Sequence, residues 1–246
     1  MATYLELNND ITTVIDDSFF NLAFIRKERR KFTPTGGGDT WYRYYYEVDV
    51  TGIPEPVVAF SCICAASYYR LSETKIVVVV SAANKQNVPN AVSKLNNANN
   101  FIDIYIFGRP VDNTPNIGFK AWDASGRLVF DANHRYMKPV QMIQEDANYN
   151  PVAGGNNPFR NNKTVSFPTG RIYAVYPLNR IFNIQAEWLS NGWESWYQAD
   201  IYSSQAAVDG GIVYLTSGVV DSVEDTSVVS IGVCRHQYMV LDVTNY

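Results

Sequence analysis

The chain has 246 residues, 46% hydrophobic and only 18% charged, with a formal net charge of −4. Disorder needs low hydrophobicity and high net charge, so this chain folds, and its length suits one large all-β domain or two smaller ones. A sequence pI near 5.2 argues against a general nucleic-acid binder, which carries a basic stripe.

Aromatic residues and 23 Asn favour pleated surfaces joined by polar turns. The opening Met1-Ala2-Thr3-Tyr4 shows no basic-then-apolar leader. Tyr4–Asp10 and Val14–Ser18 read as strand, turn and strand. Arg26, Lys27, Arg29, Arg30 and Lys31, interrupted by Glu28, form the only basic cluster. On a strand these charges alternate between faces and guard an open edge, or they contact an acidic neighbouring subunit. Gly36-Gly37-Gly38 lacks the Lys and Ser/Thr of a phosphate loop and reads as a flexible hairpin loop. In Trp41–Val50, period two puts Tyr42, Tyr44, Tyr46, Val48 and Val50 on one face and Arg43, Glu47 and Asp49 on the other. Val57–Ala66 and Lys75–Ser81 are almost continuously apolar, as in strands covered on both faces. The first of these runs is about half a membrane helix, so no membrane insertion is expected.

Asn84–Asn100 carries seven Asn and reads as a long loop with a short helix at Ala91–Leu95. Phe101–Phe107 alternates Ile102, Ile104 and Ile106 against Phe101, Asp103, Tyr105 and Phe107. Phe119–Asp123 and Arg127–Asp131 read as a hairpin, with Gly126 at a positive-φ position. Tyr136–Ile143 follows, and Pro139 marks it as an edge strand. Gln144–Gly170, with six Asn, reads as a second long loop. Further strands are expected at Arg171–Tyr176, Ile181–Ala186, Gly211–Ser217, Ser227–Val233 and Tyr238–Val243.

Trp188, Trp193, Trp196 and Tyr197 crowd around Asn191-Gly192, the pattern of an aromatic hairpin. Interfaces favour Trp, Tyr and Arg anchors, so packing or a subunit interface is the leading reading. A sugar platform with Glu187, Glu194 and Asp200 is the sharper alternative, and paired carboxylates extend it to glycoside hydrolysis. Asp221, Glu224 and Asp225 read as a solvated acidic loop without calcium-loop spacing. Cys62, Cys64 and Cys234 read as reduced, buried thiols. His134 and His236 have no zinc-like spacing and no nucleophile motif beside them. No catalytic residue, metal or cofactor is therefore expected.

Two stretches echo each other: Val14-Ile15-Asp16-Asp17-Ser18 after a hairpin, and Val129-Phe130-Asp131-Ala132-Asn133 after another. A duplication would place its boundary in the Pro/Asn/Gly-rich link Pro110–Gly118. The same stretches, Val14–Phe24 and Ile117–Val140, resemble a family of small uncharacterised tail proteins of long-tailed phages of Gram-negative bacteria. That resemblance covers about 45 residues and implies a virion structural protein near the tail tip or fibres, with no catalytic residues. The expectation is an all-β chain of two sandwich-like antiparallel subdomains, 1–110 and 111–246, with long Asn-rich loops. It would form a homo-oligomer and contact other phage tail proteins. A carbohydrate-binding module for host surface polysaccharide is the alternative.

Overall fold

A strand that is apolar on one face needs a second layer to cover that face, and this chain supplies two sheets that cover each other. The computed structural model describes residues 6–9, 12–16, 21–33, 41–83, 88–112, 118–147, 163–178, 182–190, 195–224 and 234–246. In the first half, β1 (Glu6–Asn9) and β2 (Thr12–Asp16) form a separate hairpin. Then come β3 (Ala23–Lys31), β4 (Trp41–Asp49), β5 (Val57–Cys62), β6 (Ala65–Arg70), β7 (Lys75–Ala83), α1 (Ala91–Leu95) and β8 (Phe101–Gly108). In the second half, β9 (Lys120–Trp122) and β10 (Leu128–Asp131) form another hairpin. The remaining strands are β11 (Pro139–Ala147), β12 (Lys163–Ser166), β13 (Tyr173–Pro177), β14 (Phe182–Ser190), β15 (Ser195–Asp209), β16 (Ile212–Glu224) and β17 (Cys234–Asp242).

One sheet has the order β11-β17-β13-β5-β8-β3 and the other β12-β16-β15-β6-β7-β4, with β14 also beside β15. All their ladders are antiparallel, and the fold is an all-β sandwich. Each sheet takes three strands of its through-path from either side of residue 110. It crosses between the halves at one rung, Val175↔Phe60 in the first sheet and Ala206↔Ala66 in the second.

Alternation decides what enters the core. Tyr44, Val48 and Val50 face inward from the β4 segment, and Ile102, Ile104 and Ile106 from β8, to meet Phe60, Val78, Val80, Val175, Leu215 and Val240. The opposite face of β8 is also covered. Tyr105 and Phe107 join Ala59, Ala174, Leu241 and Val243 in a second, smaller core under Leu22, Phe24, Met137 and Tyr246.

The apolar run Val57–Ala66 is two strands rather than one. The chain leaves β5 at Cys62, bends through Ile63 and Cys64, and enters β6 in the other sheet. Residues of either layer face the same core, so hydrophobicity does not mark the crossing. Cys62 and Cys64 are free and buried there. Burial pushes the Cys62 thiol up, and the neighbouring Cys64 thiol adds to that.

The Asn-rich stretches are less open than their composition implies. Residues 88–100 hold α1, whose Ala91 and Leu95 enter the main core with Val88. In the second stretch β11 runs to Ala147 and β12 occupies Lys163–Ser166. Asp221 and Glu224 lie on β16 rather than in a loop, because β15 and β16 run 15 and 13 residues. The triple glycine and the expected strand at 227–233 fall outside the described residues.

Ile104 is fully buried, whereas Leu71 is 54% exposed. Ile104→Ala should therefore lower unfolding free energy by about 3 kcal/mol through lost burial and a residual cavity. Leu71→Ala should change it by less than about 0.5 kcal/mol. Chemical denaturation of both variants checks the pair.

Candidate functional site

The basic cluster lies on β3, an edge strand of the first sheet. Its register sets Arg29 opposite Asp103 and Lys27 opposite Tyr105. The Arg29 guanidinium grips Asp103 with two hydrogen bonds, 2.7 and 2.8 Å long. The Lys27 ammonium approaches the same carboxylate at 3.0 Å and lies 4.9 Å over the Tyr105 ring. Arg29 also stacks over Phe101 at 3.7 Å. On the alternate positions, Arg26 and Arg30 both reach Glu28, at 3.0 and 2.6 Å. Lys31 is exposed at the strand end, and its carbonyl accepts from Tyr46. Four of the five basic candidates thus meet carboxylates within the chain. The site is a charge ladder along an edge.

Burial opposes ionisation of Asp103, but hydrogen bonds from Arg29 and Lys27 outweigh it and hold the carboxyl below its ordinary value. Burial likewise opposes the charge on Lys27, which the neighbouring Tyr105 and the Asp103 carboxylate restore and raise. A carboxyl with a depressed folded pKa stabilises above its unfolded pKa and loses that contribution as pH falls through the folded value. The Asp103 side chain is only 8% exposed. Asp103→Asn should therefore cost about 2 kcal/mol at pH 7. The gap from wild type should narrow as pH falls below about 4, measured by denaturation at each pH.

The aromatic hairpin forms between β14 and β15. Its register runs from Phe182↔Ser203 to Ser190↔Ser195, with Trp188 opposite Tyr197 and Leu189 opposite Trp196. Trp188 and Trp196 therefore occupy neighbouring rungs; Trp193 and Glu194 lie outside the described residues. On its other edge β15 pairs with β16 from Asp209↔Ile212 to Gln198↔Glu224. β6 meets β15 only at Ala206, and β14 takes over that edge from Ser203 onward. The result is a three-stranded ribbon that leaves the rung shared with β6, its β14–β15 ladder about 26 Å long at roughly 3.3 Å per residue. Glu187 pairs with Gln198 and Asp200 with Gln185, two rungs apart on this ribbon.

The β9–β10 hairpin leads into a corner that residue types alone did not single out. The Asp123 carboxylate accepts from the Ser125 and Arg127 amides and from the Ser125 hydroxyl, which closes the turn with Gly126 at φ 78°. Asp131 is fully buried and accepts from the backbone and side-chain nitrogens of Asn133, each at 2.9 Å. Lys120, 4% exposed, sits between Asp112 at 2.6 Å and Asp131 at 3.7 Å. The Tyr136 hydroxyl donates to the Asp131 carbonyl, and its ring stacks on Phe130 at 4.9 Å. Burial pushes the Tyr136 phenol up to about 12. The echo of Asp16 and Asp131 and the resemblance over Ile117–Val140 are the sequence signals that point to this corner.

Beside the corner lies a cleft of about 350 Å³, lined by residues 134–138 with Asn245 and Tyr246. Arg135 donates to the Asn245 carbonyl at 2.6 Å, and the Tyr246 hydroxyl donates to the Tyr136 carbonyl. These bonds tie the last residues to the corner, and the lining holds no Ser, Thr, Cys, Asp or Glu. His134 is half-buried with Nε2 3.3 Å from the Val111 carbonyl. Among the described residues no three His, Cys, Asp or Glu are grouped to hold a metal ion, and no helix is long and apolar enough to cross a membrane. The buried Asp131 is an architectural anchor. Asp131→Ala should cost about 2–3 kcal/mol by removing the carboxylate that accepts from the Asn133 backbone and side-chain nitrogens and the more deeply buried of the two carboxylates beside Lys120, as read from the denaturation midpoint. Comparison with family models, with curated proteins and with solved structures returns no match.

Proposed function

We propose that the protein is a structural component of a phage virion, a tail-tip or tail-fibre-associated part that works by oligomeric assembly. The phage context rests on the resemblance of Val14–Phe24 and Ile117–Val140 to long-tailed phage tail proteins. The described part of the second block is hairpin and corner, whose Asp123, Asp131 and Tyr136 hold backbone geometry. Scaffold positions of this kind are what a structural family would share.

The observation that carries the assembly reading is the ribbon. Three long strands continue beyond the last rung shared with β6, and two of them bring Trp188, Trp196 and Tyr197 to neighbouring rungs. Tryptophan and tyrosine are the residues that anchor interfaces most often. The homo-oligomer and the other tail proteins are the partners this reading assigns. A receptor-recognition module of a fibre, binding host surface polysaccharide, is the second reading. It is favoured by the same aromatic residues with Glu187 and Asp200 on one ribbon.

The assembly reading predicts that the chain is found by mass spectrometry in purified virions and that the isolated protein sediments as more than a monomer. Trp188→Ala and Trp196→Ala should each weaken self-association at least tenfold, a hot-spot loss of about 2 kcal/mol, with the β-sheet circular dichroism intact. A soluble monomer absent from virions would sink it. Binding to host polysaccharide that disappears in Trp196→Ala, without loss of folding, would promote the receptor reading.

A further inference from the structure

We propose that the chain is two copies of one β-sandwich unit joined in tandem and related by an approximate two-fold axis, and that the seam between them is a dimer-type interface. This inference does not depend on any role in a virion.

The strand order carries it. The first copy places β3-β8-β5 in one sheet and β4-β7-β6 in the other. The second places β11-β17-β13 in the first sheet and β12-β16-β15 in the second. Taken in chain order, first, third and last strands fall in one layer and the others in its partner, in both halves. Each copy also opens with its own separate hairpin, β1–β2 or β9–β10.

The seam has the form a two-fold axis requires. A repeat related by translation would put its equivalent strands side by side in parallel. Here β5 meets its counterpart β13 antiparallel at Phe60↔Val175, and β6 meets β15 antiparallel at Ala66↔Ala206. A third contact lies above them, where Ala23 bridges Tyr136 and the Met137 amide donates to the Leu22 carbonyl at 2.8 Å. One offset along the chain relates Asp16 to Asp131, Leu22 to Met137 and Phe60 to Val175. That same offset relates two β-bulges, one between Phe24 and Arg26 and the other between Pro139 and Gln141.

The buried surface obeys the same pairing. The smaller core contains Ala59, Tyr105 and Phe107 from the first copy and Ala174, Leu241 and Val243 from the second. Ala59 pairs with Tyr105 across β5–β8, and Ala174 pairs with Leu241 across β13–β17. The copies have diverged in one ladder: matched through the bulges, β11 is displaced by two residues along β17 relative to β3 on β8, a shift that keeps every side chain on its face.

What lacks a counterpart is the ribbon. β14 and the outer parts of β15 and β16 are inserted in the second copy alone, since β6 has six residues and β7 nine. Each chain thus carries one arm on a two-fold scaffold.

The test uses the full chain with a site for a sequence-specific protease placed between Asp112 and Gly118, cut after folding. A control chain carries the site inside the first copy, in the exposed turn 71–74. Cut between the copies, the protein should run as a one-to-one complex with an unchanged β-sheet spectrum. After denaturation and dilution it should recover both properties. Its unfolding midpoint should rise with protein concentration, while that of the uncut chain stays constant. The control, cut within a unit, should fail to recover after denaturation. Equal recovery or equal failure of the two cut chains would overturn the proposal.

Discussion

Each sheet passes from one half of the chain to the other through a single rung, so the sandwich depends on how that seam is packed. Inside, Phe60, Val175, Ala66 and Ala206 bury themselves in one core shared by both halves. Outside the second sheet the seam is polar but bonded, with Ser67 and Ser203 hydroxyls 2.9 Å apart and Ser81 donating to Gln205 at 2.7 Å. Opening the seam would expose the common core and strand buried polar groups together. One rung of backbone pairing is enough because side chains on both faces close the joint.

The same sheet leaves two edges that must resist unwanted pairing. At one end β3 presents a ladder of cations held by Asp103 and Glu28. At the other, β11 begins with Pro139, which donates no hydrogen bond, and carries a bulge just after it. Charge, proline and bulges are the usual protections of an open edge. The charges on β3 therefore act first on the fold itself, and any acidic neighbour would have to compete with carboxylates already in place.

These features separate a protected frame from a projecting element. The frame closes its core, protects the edges of its first sheet and anchors its corners through Asp123 and Asp131. The ribbon extends one sheet without a counterpart among the described residues, and Trp188, Trp196 and Tyr197, which suggested an interface, lie on it. The assembly role we propose would use both: a frame stiff enough to transmit position, and a distinct surface on which specificity can evolve without disturbing the core.

Much was legible in the residues themselves. Period two named the inward face of the Trp41–Val50 segment and split Ile102, Ile104 and Ile106 from Asp103, Tyr105 and Phe107, Gly126 marked its turn, and Pro139 marked an edge. These are local matters, settled by the pleat, by backbone conformation and by a missing donor. The short helix at Ala91–Leu95 was legible too, but the crossing at Ile63–Cys64, the strands inside the second Asn-rich stretch and the full length of β15 were not, because apolar residues look alike in either layer and loop-like composition does not report what packs beneath it. The aromatic cluster was visible as a hairpin, but the ribbon that carries it follows from where β6 ends. Sequence by itself determined strands, faces and turns, which depend on neighbours along the chain. Only the tertiary structure decided which strands share a sheet and where the halves meet, because those pairings are fixed by burial between residues more than a hundred positions apart.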